Sequence, residues 1–235
     1  FGCSDKNDFK AGRNVQPEVI VTGMPVRKQM EVTGESEETT KEAEDTELDS
    51  FLHESDKSKF SILVMGGSQG AHYLNKVFLA ALKELGPAIQ KKLHVIHLSG
   101  TRDLDEIKEA YKSLDIDSHI YGFLKEMSEV YKSCDLVICR AGASCLTELS
   151  YYGCAAVLIP YPYARGHQLK NAEYFTDRKA AIMLEQKELT PEKLKQIIID
   201  LMNNPDKIKS LSDNIKTILP ADADEVLAKR INSML

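Results

Sequence analysis

Residues 62–75 read "ILVMGGSQGAHYLN". An apolar run meets Gly66, Gly67, Ser68, Gln69 and Gly70, and a helical pattern starts directly after them. A helix N-terminus offers unpaired N–H groups and a partial positive charge, which suits phosphate. Glycines let the backbone approach closely, and Ser68 adds a hydroxyl donor. One glycine would suffice for a tight turn, so three in five positions favour a phosphate cradle. No Lys-Ser or Lys-Thr follows the last glycine, which excludes a nucleoside-triphosphate P-loop. The G-G-x-x-G spacing is a poor dinucleotide fingerprint, and the next strand ends "HLSG" where an acid should hold a ribose.

Outward from this stretch, the pattern is regular from Phe60 onward. Short apolar runs appear at "FSILVM", "LHVIHLS", "HIYGF", "DLVICR", "CAAVLIP" and "AAIML". Between them lie stretches with apolar residues at helical spacing, such as "AHYLNKVFLAALKEL" and "LDEIKEAYKSL". This alternation predicts right-handed βαβ units and a parallel sheet with helices on both faces, a Rossmann-like α/β fold. Helices are predicted at 191–203, 205–218 and 222–233, with Pro191 and Pro205 near their starts. Ligands of such sheets bind beyond the carboxyl ends of the strands. The turns to search are therefore 66–70, 99–103, 122–127, 140–145 and 160–168.

Two of these turns carry chemistry besides the glycine turn. In "CRAGASCLTELSYYG", residues 139–153, a small-residue turn opens a helix near Ala143, Ser144 and Cys145. Glu148 follows one turn later on the same face as Ser144. It reads either as a solvated helix residue or as a bidentate acceptor for two ribose hydroxyls. In "IPYPYARGHQLKNA", residues 159–172, a rigid loop delivers His167, Gln168 and Asn171 to a helix start. Such side chains donate and accept, as sugar hydroxyls require.

The composition sets bounds. The 235 residues carry a net charge of −6, so nucleic acid is not an expected partner. No apolar run approaches the roughly 20 residues of a membrane helix, and no signal segment opens the chain. Residues 31–56 hold eleven acids against one lysine, Lys41, and the remaining residues together carry +4. That stretch reads as a mobile acidic loop. Cys3, Cys134, Cys139, Cys145 and Cys154 are an odd count that fits reduced thiols in a cytosolic setting. Their spacings fit no paired C-x-x-C pattern, so buried thiols are expected rather than a metal site. The opening "FGCSDKNDF" reads as the inside of a longer protein.

Several motifs come in the order found in one known family: "GMPVR" at 23–27, "GGSQGAHYLN", "YGFLKEM", "CRAGASCLTE" and "GHQLKNA". Over residues 20 to about 230 the chain resembles the carboxyl-terminal part of the MurG family, glycosyltransferase family 28. The resemblance implies a GT-B glycosyltransferase of two Rossmann-like domains, with UDP-N-acetylglucosamine bound by the carboxyl-terminal one. It implies inverting transfer of N-acetylglucosamine to lipid-linked N-acetylmuramoyl-pentapeptide in peptidoglycan synthesis, peripherally on the cytoplasmic face of the bacterial membrane. No cofactor and no metal are implied. Residues 1–30 would be an interdomain segment and the end of an amino-terminal domain, 31–58 the acidic loop and 59–235 the UDP-sugar-binding domain. Gly67, Ser68 and Gln69 would hold the diphosphate, and Phe123 and Leu124 would line the uracil. Ala143, Ser144 and Cys145 would contact phosphate and sugar, and Glu148 the ribose. His167, Gln168 and Asn171 would face sugar hydroxyls, and Arg27 would reach the nucleotide from the side. Met24 stands where the family has Asn. The catalytic base is expected outside this chain, which would then bind donor but turn over little alone. The rival readings are a UDP-sugar transferase with another lipid acceptor, a non-catalytic nucleotide-sugar-binding subunit and, least favoured, a nicotinamide dehydrogenase.

Overall fold

Alternating apolar strands and amphipathic helices build the predicted βαβ series. The computed structural model describes residues 58–67, 71–164, 166–219 and 223–233. The predicted strand at 18–22, Arg27, the acidic stretch 31–56, and Ser68 and Gln69 lie outside them. In chain order the elements are β1 Phe60–Met65, α1 His72–Lys83, α2 Pro87–Gln90, β2 Leu93–Leu98, α3 Leu104–Tyr111 and β3 Asp117–Tyr121. Then come α4 Ser128–Ser133, β4 Leu136–Cys139, α5 Ala143–Tyr152, β5 Ala156–Leu158, α6 His167–Thr176 and β6 Ile182–Met183. The last helices are α7 Pro191–Asn203, α8 Pro205–Ile215 and α9 Ala223–Asn232.

The six strands form one sheet in the order β3-β2-β1-β4-β5-β6. Strands β1, β2 and β3 pair in parallel, with Phe60 opposite Leu93 and His94 opposite Asp117. Strand β5 pairs in parallel with β6, Val157 opposite Ile182. The order reverses at β1, and in open parallel sheets such a reversal marks where ligands bind, beyond the carboxyl ends. All five searched turns follow the carboxyl ends of strands β1 to β5.

The chain divides into two compact units. Of the described residues, the first unit holds 58–138 and 190–205, and the second holds 139–189 and 206–233. In the first, Ile62, Leu63 and Val64 of β1 and Val95 and Ile96 of β2 have no solvent exposure. Continuous burial along a strand means both sheet faces are covered. Helix α1 buries Leu74, Val77, Phe78, Ala81 and Leu82, and α7 packs against it. The Thr190 hydroxyl caps α7 by accepting the Lys193 N–H at 3.2 Å, and Pro191 takes the first helical position. In the second unit, α5 ends at Gly153, whose φ of 73° is left-handed. That conformation favours glycine, and a Cβ there would also have to displace the flexible Lys216 side chain.

A buried polar chain joins α1 to the turn after β2. His97 Nε2 lies 3.1 Å from Asn75 Oδ1, and its Nδ1 lies 3.1 Å from Tyr111 Oη. Asn75 Nδ2 donates to Ser99 O at 2.8 Å and to Asp103 Oδ2 at 2.9 Å. Those two acceptors fix the amide orientation, so Asn75 Oδ1 must accept from His97 Nε2–H. His97 is then the neutral Nε2–H tautomer, and its Nδ1 accepts from Tyr111. The Asp103 carboxylate takes His72 Nδ1 at 3.0 Å. Burial alone would raise the Asp103 carboxyl, but the bonds from Asn75 and His72 outweigh it and hold it below the usual range.

Burial pushes His97 from 6.5 down to about 3, with Asp103 opposing only in part. The unfolded chain takes up a proton at His97 near its ordinary value, whereas the folded chain resists. Stability from this group is therefore full above about pH 6.5 and is lost as pH falls toward 3. Between pH 7 and 5 the loss is about 2 kcal/mol for this one site. His97→Gln should lose that much less than wild type over the same interval in urea unfolding. Equal losses would contradict the buried neutral imidazole.

Candidate functional site

The turn after β4 is organised by Arg140, a residue the sequence reading used only as a motif letter. Arg140 is 7% exposed. Its Nη1 donates to Ile159 O at 3.1 Å and to Pro160 O at 3.5 Å, and its Nη2 donates to Gln186 Oε1 at 2.7 Å. The guanidinium also lies 5.3 Å from the Tyr161 ring centroid. A planar fork that meets several acceptors at once is what arginine offers and lysine does not. The loop after β5 is thus tied to the end of β4.

Helix α5 begins two residues beyond Ala141. Its N-cap is Gly142, which provides no side-chain cap, and its first turn holds no acid. The first intrahelical bond runs from Leu146 N–H to Gly142 O at 3.0 Å. The N–H groups of the preceding helical residues, Ala143 to Cys145, have no intrahelical acceptor by construction. Ser144 is exposed, and Cys145 and Glu148 are half-buried. A Cβ on Gly142 would meet nothing within 4 Å, so the approach to this helix start is open.

Helix α6 repeats the arrangement. Its N-cap is Gly166, left-handed at φ 77°, with no side-chain cap, no acid in the first turn and open space where a Cβ would stand. His167 is exposed there. Gln168 and Asn171 do something the sequence did not announce. Gln168 Oε1 accepts the Tyr161 N–H at 2.9 Å, and buried Asn171 donates to Ala141 O at 3.1 Å. Both side chains brace the loops beside the two helix starts, leaving His167 as the exposed member of the expected trio. Tyr161 and Tyr163, both exposed, stand edge to face at 5.5 Å on the same loop.

In the first unit, Gly67 is left-handed at φ 87° with nothing within 4 Å of a would-be Cβ. Helix α1 also lacks an acid in its own first turn. Its first residue, His72, nevertheless holds the Asp103 carboxylate. The start of α1 therefore already has an anion beside it. The starts of α5 and α6 are vacant, and the four-residue α2 is likewise uncapped and free of acid after Gly86. By contrast α3, α7 and α8 carry Asp105 and Glu106, Glu192, and Asp206 in their first turns. After β3, Phe123 is 63% exposed while Leu124 is buried at 7%. A Cβ on Gly122 would stand 3.3 Å from Thr101 Cγ2, so this turn lies close against Thr101. Phe123 is available to a flat ligand, whereas Leu124 belongs to the core.

Cys139 and Cys154 are buried, as the sequence reading expected of them. Cys139 lies against Cys145, with Sγ atoms 3.4 Å apart.

Residues 61–227 match the glycosyltransferase family 28 C-terminal domain. The chain belongs to that family. A UDP-N-acetylglucosamine–N-acetylmuramyl-(pentapeptide) pyrophosphoryl-undecaprenol N-acetylglucosamine transferase of Geobacter sp. (strain M21) is 34% identical over 208 residues, 88% of this chain and 52% of the relative. The transferase of the same name from Myxococcus xanthus is 37% identical over 171 residues, 72% of this chain and 44% of the relative. The crystal structure of Acinetobacter baumannii MurG superposes with a TM-score of 0.68 at 30% identity, covering 77% of this chain and 54% of that one. The fold is the Rossmann-like carboxyl-terminal domain of a GT-B glycosyltransferase. The chain spans about half the length of the curated relatives it matches.

Arg140→Lys removes the fork and leaves carbonyls of the β5 loop without their donor. It should cost about 1–3 kcal/mol in chemical unfolding. An unchanged midpoint would show that the loop does not depend on the guanidinium.

Proposed function

We propose that this chain is the donor-binding half of an inverting glycosyltransferase that uses UDP-N-acetylglucosamine. The observation that carries the reading is the start of α5: uncapped, free of acid, open to solvent and followed one turn later by Glu148. Its N–H groups from Ala143 to Cys145 take the diphosphate, with the exposed Ser144 hydroxyl beside them. Glu148 accepts from the ribose hydroxyls. The α6 start, with His167, meets the sugar, while Gln168 and Asn171 hold its surroundings in place. Phe123 offers its exposed face to uracil. Ser68, Gln69 and Arg27 remain part of the reading through the family motifs that contain them.

The acceptor follows from the relatives, whose names specify lipid-linked N-acetylmuramoyl-pentapeptide. In this reading the acceptor hydroxyl attacks the anomeric carbon and UDP leaves. Negative charge grows on the diphosphate as the bond breaks. Preorganised N–H donors stabilise that charge without reorganising, and losing one such donor typically costs a hundredfold or more in rate. Among the described residues no helix is long and apolar enough to cross a membrane. A polyprenyl-linked acceptor lies in a membrane, and in this reading the enzyme works peripherally on its cytoplasmic face.

Two variants test the α5 start by calorimetric titration with UDP-N-acetylglucosamine. Ser144→Asp puts a carboxylate in the helix's first turn. It should leave stability unchanged or raise it by about 0.3–1 kcal/mol, because acids suit that end. It should also weaken binding at least about tenfold, through repulsion of the diphosphate. Glu148→Ala should weaken binding about ten- to a hundredfold, from loss of hydrogen bonds to a charged group. Undiminished binding in both folded variants would refute the assignment.

A further inference from the structure

The loop between β5 and α6 carries two tyrosines that the diphosphate and ribose contacts leave without a task. Tyr161 is 44% exposed and Tyr163 79%, and among the described residues no large apolar side chain is more exposed than Tyr163. Apolar side chains scattered singly on a surface need no explanation, but these two are paired and fixed in place. Their ring centroids are 5.5 Å apart and their planes meet at 71°. The Tyr161 ring also lies against the Arg140 guanidinium, 5.3 Å from the ring centroid, a cation–π contact. The backbone is held as firmly. Pro160 and Pro162 restrict φ on either side of Tyr161. Tyr161 N–H donates to Gln168 Oε1 at 2.9 Å, Ala164 N–H to Tyr161 O at 3.4 Å, and His167 N–H to Ala164 O at 3.0 Å. These bonds fold the loop onto the first turn of α6, so both rings stand on the segment that leads directly into that helix start.

Two rings meeting at 71° make a corner rather than a shelf. A shelf of coplanar rings would suit the flat C–H face of a pyranose. A corner suits a compact apolar group, which can touch both rings at once. On the sugar assigned to the α6 start, the group of that kind is the methyl of the 2-acetamido substituent.

We propose that Tyr161 and Tyr163 form an aromatic corner that takes the acetamido methyl of UDP-N-acetylglucosamine and sets the preference for an N-acetylated sugar over a plain hexose. The corner depends on the donor-binding reading above, which brings the sugar to α6. UDP-glucose carries a hydroxyl in place of the acetamido group and leaves the corner to water. Tyr161 is the fixed wall, through Arg140 and Gln168, and Tyr163 is the open one. Because the loop is already tied down, little ordering has to be added when the methyl is covered. Burying one methyl against aromatic rings corresponds to a preference of about fivefold or more.

Calorimetric titration of the chain with UDP, UDP-glucose and UDP-N-acetylglucosamine tests the corner. The chain should bind UDP-N-acetylglucosamine about fivefold or more tighter than UDP-glucose. Tyr163→Ala, at an exposed position, should keep the unfolding midpoint and the affinities for UDP and UDP-glucose while losing most of that preference. Tyr163→Phe retains the ring and should retain the preference. A preference that survives Tyr163→Ala would overturn the corner. Loss of the preference in Tyr163→Phe as well would also overturn it, since the hydroxyl rather than the ring would then hold the sugar. If the chain binds UDP but does not distinguish the two nucleotide sugars, the corner alone falls. If UDP itself does not bind, the donor-binding reading falls and the corner falls with it.

Discussion

A helix begins with N–H groups that it cannot satisfy itself, and the rest of this structure can be understood from how each helix meets that demand. Helix α7 uses the Thr190 hydroxyl and Glu192, and α3 and α8 place acids in their first turns. Helix α1 keeps the Asp103 carboxylate beside His72. Helices α5 and α6 do none of these, and each opens after a glycine with free space around it. Leaving a positive helix end unfilled forgoes about 0.3–1 kcal/mol of stability. The short α2 also lacks a cap and an acid, but it spans only four residues; the vacancies of α5 and α6 fall within the family's donor motifs, and the proposed diphosphate accounts for them.

The polar residues around these helix starts divide into two kinds. Arg140, Gln168 and Asn171 spend their hydrogen bonds on backbone and side chains of the protein. Ser144 and His167 are exposed. A binding turn made of backbone donors needs such bracing, because a displaced N–H cannot be replaced by a side-chain rotation. The same logic explains the buried chain from Tyr111 through His97 and Asn75 to Asp103, which fixes the start of α1 and the turn after β2.

Much of the fold was legible because strands buried on both faces read as unbroken apolar runs. "FSILVM" is β1 to the residue, and 191–203 is α7 to the residue. Errors lie at the edges. "AAIML" yields only Ile182–Met183, since a terminal strand has a neighbour on one side and pairs over a shorter length. The glycine turn was correctly seen as a strand-to-helix junction. The carboxylate beside its helix was not, because Asp103 is 31 positions from His72 in sequence and only the fold brings them together. The bonds of Gln168 Oε1 and Asn171 Nδ2 within the protein were hidden for a similar reason: residue type shows hydrogen-bonding capacity, not which partner takes it. Arg140 was passed over because its acceptors, Ile159 O, Pro160 O and Gln186, belong to elements 19 to 46 residues away. The touching thiols of Cys139 and Cys145 were likewise visible only as a spacing.

The central claim is that the start of α5 is a diphosphate site. Backbone amide NMR of the chain titrated with UDP tests it most directly, because it reads the proposed donors themselves. Hydrogen bonds from Ala143, Ser144 and Cys145 to a diphosphate should move their amide resonances the furthest in the protein, saturably and with one affinity. If UDP binds and saturates while these three amides stay in place, the anion is held elsewhere, and the account of α5 is wrong.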